Sequence, residues 1–596
     1  MKHARLLSVR RRLTLGVTAA VALLVSGLPG AAAAEPPVPP SSPTVTAVYQ
    51  GAPVENCANK PSCPDSVVVG EKVTFTFTAT STDVVGFDYS DNGNGHPSLM
   101  GSTVTVDVMV GSASLLLVDV QAFNEIGQRS TTVHFRVGVG RPAGPIGSWS
   151  FDDGSGTTAA DGPGLTHPLA LSGAAFEANG RLKGALALDG SNDFAAASES
   201  VVDTSRSFSI STWARPTSAS KLGVVAAVNG TNSAAAGLGY DPATKRWVFA
   251  RSSADVSKPT VYKASSKEAP VNGAWSHLLA TYDATTGALK LFVNGRLQQE
   301  TSSPIANAWK ATGALSVGRG LLGGAASGYF AGSIDNLQTW QRVLLPEEVL
   351  QLQDPRESGS ANTPVITGNA AYWPLDAATR GTDQVWRSPE AIRGADLTVS
   401  GFRGTDQSKA FVDDADRGKV LDLTGSTKEA LTLNRAVVDA SASFAVAVMV
   451  KVTDPSKPGV LIRQGTSTKD TWRIAYEPID ATTGRFTFAR ANADATTETV
   501  VATSDTDISE LQSWHLIVGQ YRLNDRDPSH DEISLSVDLR TQDTATFTAP
   551  RRDGTTALGH SSPAFAGQLD DARIYTGVLS PITACADYPG QRNCGL

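Results

Sequence analysis

Apolar and polar residues alternate with a period of two along most of the chain beyond residue 43. In residues 73–78, for example, Val73, Phe75 and Phe77 alternate with threonines. This period is typical of β-strands that bury one face and expose the other. A helical pattern occurs only at residues 346–353, where Pro-Glu-Glu opens a short apolar stretch. The pattern therefore predicts an all-β protein.

The first 34 residues differ from the rest, because five basic residues precede an apolar stretch over residues 13–28. An alanine run ends at Ala34, so we predict a signal peptide over residues 1–34 that is cleaved after Ala34. A membrane anchor is the alternative, but the stretch is shorter than the ~20 residues that a span needs. We expect a secreted, extracellular product, exported by either the Sec or the twin-arginine route.

The formal net charge of the 596-residue chain is −8, and the predicted signal peptide is itself basic. The remainder is therefore more acidic than the whole. An acidic body offers no electrostatic attraction to nucleic acid or to an anionic membrane. We expect neither as a partner once the signal is removed.

The four cysteines form two local pairs, Cys57 with Cys63 and Cys585 with Cys594. An exported chain meets an oxidising environment in which such pairs close, so we predict two short disulfides. Zinc binding is disfavoured, because the spacing is not C-x-x-C and no histidine is near either pair.

An internal duplication organises the larger part of the chain. The sequence F-A-G-S-I-D at 330–335 recurs as F-A-G-Q-L-D at 565–570, with an offset of 235 residues. Upstream, F-A-R at 249–251 recurs at 488–490. The two copies therefore belong to two homologous domains.

These observations divide the chain after the signal peptide into five parts. Residues 35–43 are a Pro-rich linker, and residues 44–140 form a small β-sandwich. The sandwich resembles immunoglobulin-like modules, although it has no Cys-Trp-Cys core. The two repeats occupy residues 146–353 and 366–596, and a polar linker over residues 354–365 separates them.

The repeats carry motifs in a characteristic order. In the first copy these are W-S-F-D at 149–152, A-L-A-L-D-G-S-N-D at 185–193, F-S-I-S-T-W at 208–213, W-S-H-L-L-A-T-Y-D at 275–283, L-F-V-N-G at 291–295 and F-A-G-S-I-D at 330–335. This order resembles the laminin-G-like, concanavalin A-like jelly-roll domains, and the resemblance implies two jelly-roll sandwiches. The fold class is thus all-β, with an immunoglobulin-like sandwich followed by two jelly rolls.

The second copy departs from the family pattern at several positions. Thr424 replaces Asp189, Met449 replaces Trp213, and a longer segment over residues 522–532 takes the place of the L-F-V-N-G turn. Because the fold hosts lectins, hydrolases and adhesion modules alike, the resemblance does not fix the function.

The sequence carries no recognisable catalytic motif. Glycosidases on this fold usually place an acid and a nucleophile two or four residues apart on one strand, and no such glutamate pattern occurs. His277 follows Trp275 by two residues, whereas His515 follows Trp514 directly, so the two histidines are predicted to face opposite sides of a strand. We predict a protein that is not an enzyme, with a glycan-active enzyme built from distant strands as the open alternative.

Four aspartates near the domain ends are candidate calcium ligands. Asp152 and Asp376 lie near the start of each repeat, and Asp335 and Asp570 lie near the end. The first and last strands of a jelly roll are commonly neighbours, and related domains sometimes hold calcium, which prefers oxygen ligands. The alternative is that each aspartate caps a turn. Structural calcium is the one cofactor that we consider.

Tryptophans are sorted by comparing the copies. Trp149/Trp373, Trp275/Trp514, Trp247/Phe486 and Trp340/Tyr575 keep an aromatic residue in both repeats, which indicates sandwich core. Trp309 and Trp386 have no counterpart, and loop aromatics can stack on sugar rings. These two residues are the predicted ligand contacts.

Together these features predict a secreted binding protein that recognises a polysaccharide, a cell-surface glycan or an extracellular protein through its jelly rolls, with two copies offering avidity. An extracellular spacer or scaffold without a small ligand is the alternative.

Overall fold

The computed structural model describes residues 38–111, 114–353, 367–402, 404–492, 497–523, 531–547, 555–559, 563–589 and 594. The predicted signal peptide with its cleavage site at Ala34, and the linker at residues 354–365, lie outside the described residues. The chain forms two compact units, one up to residue 142 and one from residue 143 onward.

The N-terminal unit is a sandwich of two β-sheets around a core that includes Phe75, Phe77, Phe87 and Phe135. Alternation places these phenylalanines on the inner faces and threonines outside. One sheet has the order Ala52–Val54, Thr44–Tyr49, Lys72–Thr78, Thr103–Met109; the other has Asp65–Val68, Val133–Gly140, Ser114–Asn124, Val84–Asp91, Asn94–Gly95, with Leu99–Met100 also beside Val84–Asp91. The predicted Cys57–Cys63 disulfide is confirmed here.

The first jelly roll consists of two sheets packed face to face. We name each sheet by the feature on its outer face, which is the α-helix Pro346–Gln353 for one sheet and the groove described in the next section for the other. The helix-side sheet has the order Ala175–Glu177, Ala185–Asp189, Ala331–Trp340, Phe208–Pro216, Ser276–Tyr282, Ala288–Val293, Arg296–Ser302, with Gly147–Trp149 also beside Ala331–Trp340. The groove-side sheet has the order Thr158–Ala159, Leu169–Ser172, Phe194–Ala196, Leu315–Val317, Gly223–Asn229, Ala234–Asp241, Arg246–Ser252, Val261–Ser265. A hairpin of Gly320–Leu322 and Ala325–Ser327, a 3₁₀ turn at Ile305–Asn307 and the α-helix Pro346–Gln353 complete the domain.

The second jelly roll repeats this strand order. Its helix-side sheet has the order Phe411–Asp414, Gly418–Thr424, Ala566–Thr576, Phe444–Val452, His515–Arg522, Asp531–Val537, Arg540–Phe547, with Gly368–Trp373 beside Ala566–Thr576. Its groove-side sheet has the order Thr379–Arg380, Trp386–Ser388, Leu397–Ser400, Ala430–Leu433, Thr555–Leu558, Gly459–Gly465, Asp470–Pro478, Thr483–Ala491, Glu498–Ala502, with Thr506–Asp507 beside Thr483–Ala491. Helical segments are Gln407–Ala410, Ile508–Leu511 and Pro581–Asp587. The predicted Cys585–Cys594 disulfide is confirmed, as is the all-β jelly-roll class.

Helix Pro346–Gln353 forms where the sequence predicts it, and helix Pro581–Asp587 lies at the matching position 235 residues later. The sequence pattern does not predict this second helix, because its apolar stretch is weaker. Ser580 caps it by accepting a hydrogen bond from the backbone N–H of Thr583, and Pro581 occupies its first turn.

The expectation that the second copy lacks the L-F-V-N-G turn is wrong. Asn294 and Gly295 have positive φ in the first copy, and Asp538 and Leu539 have positive φ in the second. The Asn294 side chain accepts the backbone N–H of His277, and the Asp538 side chain accepts that of Leu516 in the same way. The turn is therefore retained, and the additional residues lie in the connection before it.

Two of the four aromatic pairs that indicate core do not lie between the sheets. Trp149/Trp373 and Trp247/Phe486 do pack there. Trp340 and Tyr575 instead lie on the outer face of each helix-side sheet, in clusters that include residues of the helical segment, and Trp275 packs with Trp213 in a separate buried cluster. The helix-side sheet of each jelly roll therefore has apolar clusters on its outer face as well as on its inner face, which period-two alternation alone does not predict.

Candidate functional site: a groove on the first jelly roll

A groove of about 410 Å³ crosses the outer face of the groove-side sheet in the first jelly roll. Hairpin residues Gly320–Ser327 form one wall, and the hairpin is fixed by a hydrogen bond from the Leu321 backbone N–H to Asn229 Oδ1 at 3.0 Å. The lining is almost entirely apolar or glycine. It includes Leu222, Val224, Ala227, Ala234, Gly237, Gly239, Pro242, Val248, Ala250, Pro259, Val261, Leu321 and Leu322.

Small residues at neighbouring positions of the sheet create the groove. Across four strands, Ala227 pairs with Gly237, Gly237 with Ala250, and Ala250 with Lys263. On this face three adjacent strands carry only alanine or glycine at neighbouring positions, so the surface of the sheet has a depression there. Gly239 is required for a second reason, since a Cβ there would lie 2.3 Å from the Gly223 carbonyl oxygen.

The rim of the groove exposes large apolar side chains. Leu222, Val261 and Leu322 have exposed fractions of 39 %, 42 % and 57 %. The charged lining residues are Asp241 and Lys263, which form an ion pair at 2.9 Å. An exposed apolar depression of this kind is typical of a surface that contacts a ligand or partner.

A second cavity of about 240 Å³, with a more polar lining than the groove, adjoins it, and both are lined by Gly223 and Tyr240. We call it the serine pocket. Its lining includes Asp189, Ser191, Ser218, Ser220, Lys221 and Tyr329. The Ser218 and Ser220 hydroxyls lie 2.9 Å apart, and backbone N–H groups of Ser191, Asn192 and Asp193 lower the pKa of Asp189.

The second jelly roll has charged side chains at the positions that form this groove. The repeated F-A-R motif aligns Ala250 of the first copy with Ala489 of the second. The residues paired across the four corresponding strands of the second copy are Arg463, Arg473, Ala489 and Val500. Arg463 pairs with Asp470, and Arg473 pairs with Glu498 at 2.6 Å. Two arginines thus stand where the first copy has Ala227 and Gly237, and an ion-pair network occupies the depression.

The structure brings Asp152 and Asp335 together, as their positions in the sequence motifs predict. Both carboxylates hold the loop at residues 180–184, since Asp152 accepts the Gly184 N–H and Asp335 accepts the Leu182 N–H, each at 2.9 Å. Burial raises the pKa of Asp335 to about 7 against the opposing effect of its N–H donors, and the Asp152 charge adds to the rise.

In the second jelly roll, Asp570 lies near Asp376, and the Arg417 guanidinium donates to both Asp570 and Asp571. Burial raises the pKa of Asp570 to about 6 and also raises that of Asp376. Among the described residues, no group of three or more His, Cys, Asp or Glu side chains could hold a metal ion. Asp152, Asp335 and Asp570 accept hydrogen bonds from protein donors. Calcium binding at the four aspartates stays a prediction, which thermal melting with added Ca²⁺ or EDTA tests.

The raised pKa of Asp335 predicts a pH dependence of stability. Between pH about 4 and about 7 the native state holds a proton that the unfolded state has lost, so ionisation destabilises the fold as the pH rises. An Asp335→Asn variant lacks this penalty. We expect the free energy of unfolding of the variant, minus that of the wild type, to increase with pH across that window and to stay constant above it.

Urea unfolding of both proteins in EDTA at each half pH unit measures the difference. Comparing the two proteins cancels other titrations, including that of His277, whose pKa burial lowers to about 3. A pH-independent difference between pH 4 and 7 would contradict the prediction.

The two histidines lie on opposite faces, as predicted. His277 pairs with Trp213 across the sheet, whereas His515 pairs with Val450, which is one position beyond the Trp213 equivalent Met449. His277 is buried and its Nε2 lies 2.8 Å from the Ser211 hydroxyl, while His515 Nδ1 lies 2.9 Å from Asp538. Neither histidine lines the groove.

The two candidate tryptophans cover edges of the cores. Trp309 packs against the first core, and its indole N–H donates to the Ser252 carbonyl at 3.0 Å. Trp386 lies on a short strand and packs against the second core. Neither lines the groove or the serine pocket, and ligand contact through them stays a prediction.

Sequence reasoning missed the groove because glycine and alanine carry no chemistry of their own. The signal that could have found it is the comparison of copies, in which Gly237 and Ala227 correspond to Arg473 and Arg463. That alignment needs the strand register, which the short F-A-R match alone does not provide.

Comparison with known proteins gives the following matches. A family model described as "Concanavalin A-like lectin/glucanases superfamily" matches residues 189–350 and 425–583, more than half of the chain. Among curated proteins, none matches. No helix among the described residues is long and apolar enough to cross a membrane.

Solved structures with similar folds include three proteins of different origin. Domain 4 of AbnA, an extracellular arabinanase from Geobacillus stearothermophilus, solved with arabinotriose, has 19% identity and a TM-score of 0.29, covering 35% of this chain and 98% of that one. The binding domain of botulinum neurotoxin DC, solved with rat synaptotagmin II, has 11% identity and a TM-score of 0.32, covering 74% and 96%. Mouse laminin α1 domains LG4-5 have 13% identity and a TM-score of 0.20, covering 63% and 84%.

Proposed function

The chain belongs to the concanavalin A-like lectin/glucanases superfamily, and from this premise we propose that it is a secreted, non-catalytic binding protein whose ligand site is the groove of the first jelly roll. The ligand is a carbohydrate-bearing molecule of a cell surface or matrix. The proposal rests on one difference between the copies. The first copy has an open groove, whereas paired arginines fill the corresponding position of the second copy.

Several features support binding over the alternatives. A spacer has no need of a depression rimmed by exposed leucines, which adds apolar surface in contact with water. The groove's charged residues are already paired with each other, which leaves no pair of carboxylates in it for acid and base catalysis. The predicted signal peptide and the two disulfides fit an extracellular location.

The second jelly roll is assigned a supporting role in this proposal. Its network of Arg463, Asp470, Arg473 and Glu498 occupies the place of the groove. Avidity from two equivalent sites is therefore not part of the proposed function.

A Gly237→Arg variant tests the site by placing the second copy's residue in the first. A Cβ at position 237 finds its nearest neighbours at 4.0 Å, so the backbone accepts the change while the side chain fills the groove. We expect retention on the binding matrix to fall at least about tenfold, with unfolding stability within ~1 kcal/mol of wild type.

The measurement is saturable retention of the mature chain, residues 35–596, on insoluble polysaccharides and isolated cell walls. Thr244→Arg is the matched control, because it adds the same charge at the exposed end of the same hairpin. Equal retention of Gly237→Arg and wild type would remove the groove from the proposal. Absence of retention on every matrix would favour a spacer, and release of soluble sugars would indicate an enzyme.

A further inference from the structure

We propose that the ligand of the first jelly roll is an amphiphilic glycoside, in which a sugar occupies the serine pocket and an attached apolar chain lies in the groove. This inference rests on the proposed function and specifies its ligand class. The proposal is carried by the adjacency of an apolar groove and a cavity that presents serine hydroxyls and a carboxylate, which share the lining residues Gly223 and Tyr240.

The groove by itself is poorly suited to a sugar. A hexose presents several hydroxyl groups, each of which loses hydrogen bonds to water unless the protein replaces them. Apart from the Asp241–Lys263 pair and a few serine and backbone groups, the lining is aliphatic, and Tyr240 is almost fully buried. The groove therefore favours methylene groups, whose burial stabilises a complex in proportion to area.

The serine pocket offers what the groove lacks. Ser191, Ser218 and Ser220 are exposed there, and their hydroxyls can both donate and accept. Asp189 accepts three backbone N–H groups, which favours its ionised form, and an ionised carboxylate accepts hydrogen bonds from sugar hydroxyls. Tyr329 adds a half-buried phenol whose oxygen lies 3.4 Å from Arg319 Nη1.

The change from polar to apolar lining occurs over one short segment, Ser220 to Leu222. Ser220 and Lys221 line only the serine pocket, and Leu222 lines only the groove. A ligand that spans this boundary must itself change from polar to apolar. The two volumes, about 240 and 410 Å³, lie in the range of small-molecule sites when taken together.

The test uses n-alkyl β-D-glucosides with chains of five to nine carbons, kept below their critical micelle concentrations, and calorimetric titration of the mature chain. We expect the affinity to rise about fourfold for each added methylene, which is the factor that burial of one methylene group supplies. Octyl tetraethylene glycol ether is the headgroup control, with the same chain and no sugar, and we expect it to bind at least tenfold more weakly than octyl glucoside.

Two variants and one control separate the two halves of the site. Gly237→Arg is expected to remove the chain-length dependence, and Thr244→Arg is expected to keep it. The double variant Ser218→Ala with Ser220→Ala is expected to reduce the preference for octyl glucoside over the ether to less than threefold, with the chain-length dependence unchanged.

Affinity that does not depend on chain length, or an ether that binds as well as the glucoside, overturns this inference. If retention on polysaccharides remains sensitive to Gly237→Arg in that case, the proposed function survives without it. If both retention and glucoside binding are absent, the two proposals fail together. Binding of apolar peptides in preference to glucosides would identify a protein partner instead and overturn the inference.

Discussion

An Asp439→Ala variant is expected to lose about 3 kcal/mol of unfolding free energy and to separate the unfolding of the two jelly rolls. Asp439 belongs to the second jelly roll and is buried against the first. Its Oδ2 accepts hydrogen bonds from Ser276 Oγ at 3.1 Å and from Asn294 Nδ2 at 3.0 Å, and both of these residues are fully buried. Removing the carboxylate leaves buried polar groups of the other jelly roll without this acceptor.

Other contacts join the same two surfaces, which is why we expect one cooperative transition in the wild type. Arg296 pairs with Asp531, Arg393 donates to the Gly180 carbonyl, and the Arg393 guanidinium lies 6.0 Å from the Trp275 ring centroid. Burial lowers the pKa of Arg393 to about 9, so it remains charged at neutral pH.

Differential scanning calorimetry and urea unfolding of the full mature chain measure the effect. Asp454→Ala is the matched control, because Asp454 accepts the Ser456 hydroxyl just as Asp439 accepts that of Ser441, but its side chain is only half-buried. We expect the control to cost less than ~1 kcal/mol. A loss for Asp439→Ala no larger than that of the control would contradict the role of this interface.

The largest effect inside a domain is expected for Arg490→Ala, at about 4 kcal/mol. Arg490 is fully buried, its Nη2 donates to the Ala440 carbonyl at 2.7 Å, and its guanidinium lies 4.5 Å from the Tyr521 ring centroid. Alanine leaves a cavity, an unsatisfied carbonyl and a lost cation–π contact. Burial lowers the pKa of Arg490 to about 10, so the charge persists at neutral pH.

The first copy provides an internal repeat of this experiment. Arg251 donates to the Thr204 carbonyl at 2.8 Å, and its guanidinium lies 3.9 Å from the Tyr282 ring centroid. Arg251→Ala is therefore expected to cost a similar amount. Arg485→Ala, which breaks a solvent-accessible, half-buried pair with Glu477, should cost less than ~1 kcal/mol. Similar small losses for all three variants in urea unfolding would show that the buried arginines are dispensable.

The sequence predicted those features that rest on local patterns. Alternation around Phe75 and Phe77 gave the strands, Asn294-Gly295 marked a turn, and the cysteine spacing gave both disulfides. Asp538-Leu539 escaped because leucine is rarely found at positive φ, and an aspartate that no glycine follows is a weak turn signal.

The site escaped for a different reason. A depression is defined by side chains that are small on one face of several strands, and its parts, such as Ala227 and Ala250, are unremarkable one at a time. Only the pairing of strands places them in a row. The carboxylate clusters, in contrast, were predictable because Asp152 and Asp335 lie in motifs at the two ends of a domain whose terminal strands are neighbours.

The contact centred on Asp439 also bears on how such a protein is inherited. A domain that is moved between genes has to stay folded when its neighbours change. Here Ser276 and Asn294 of one jelly roll are buried against Asp439 of the other, so moving either copy alone exposes both surfaces to water. The two jelly rolls are therefore expected to be transmitted as a single evolutionary unit.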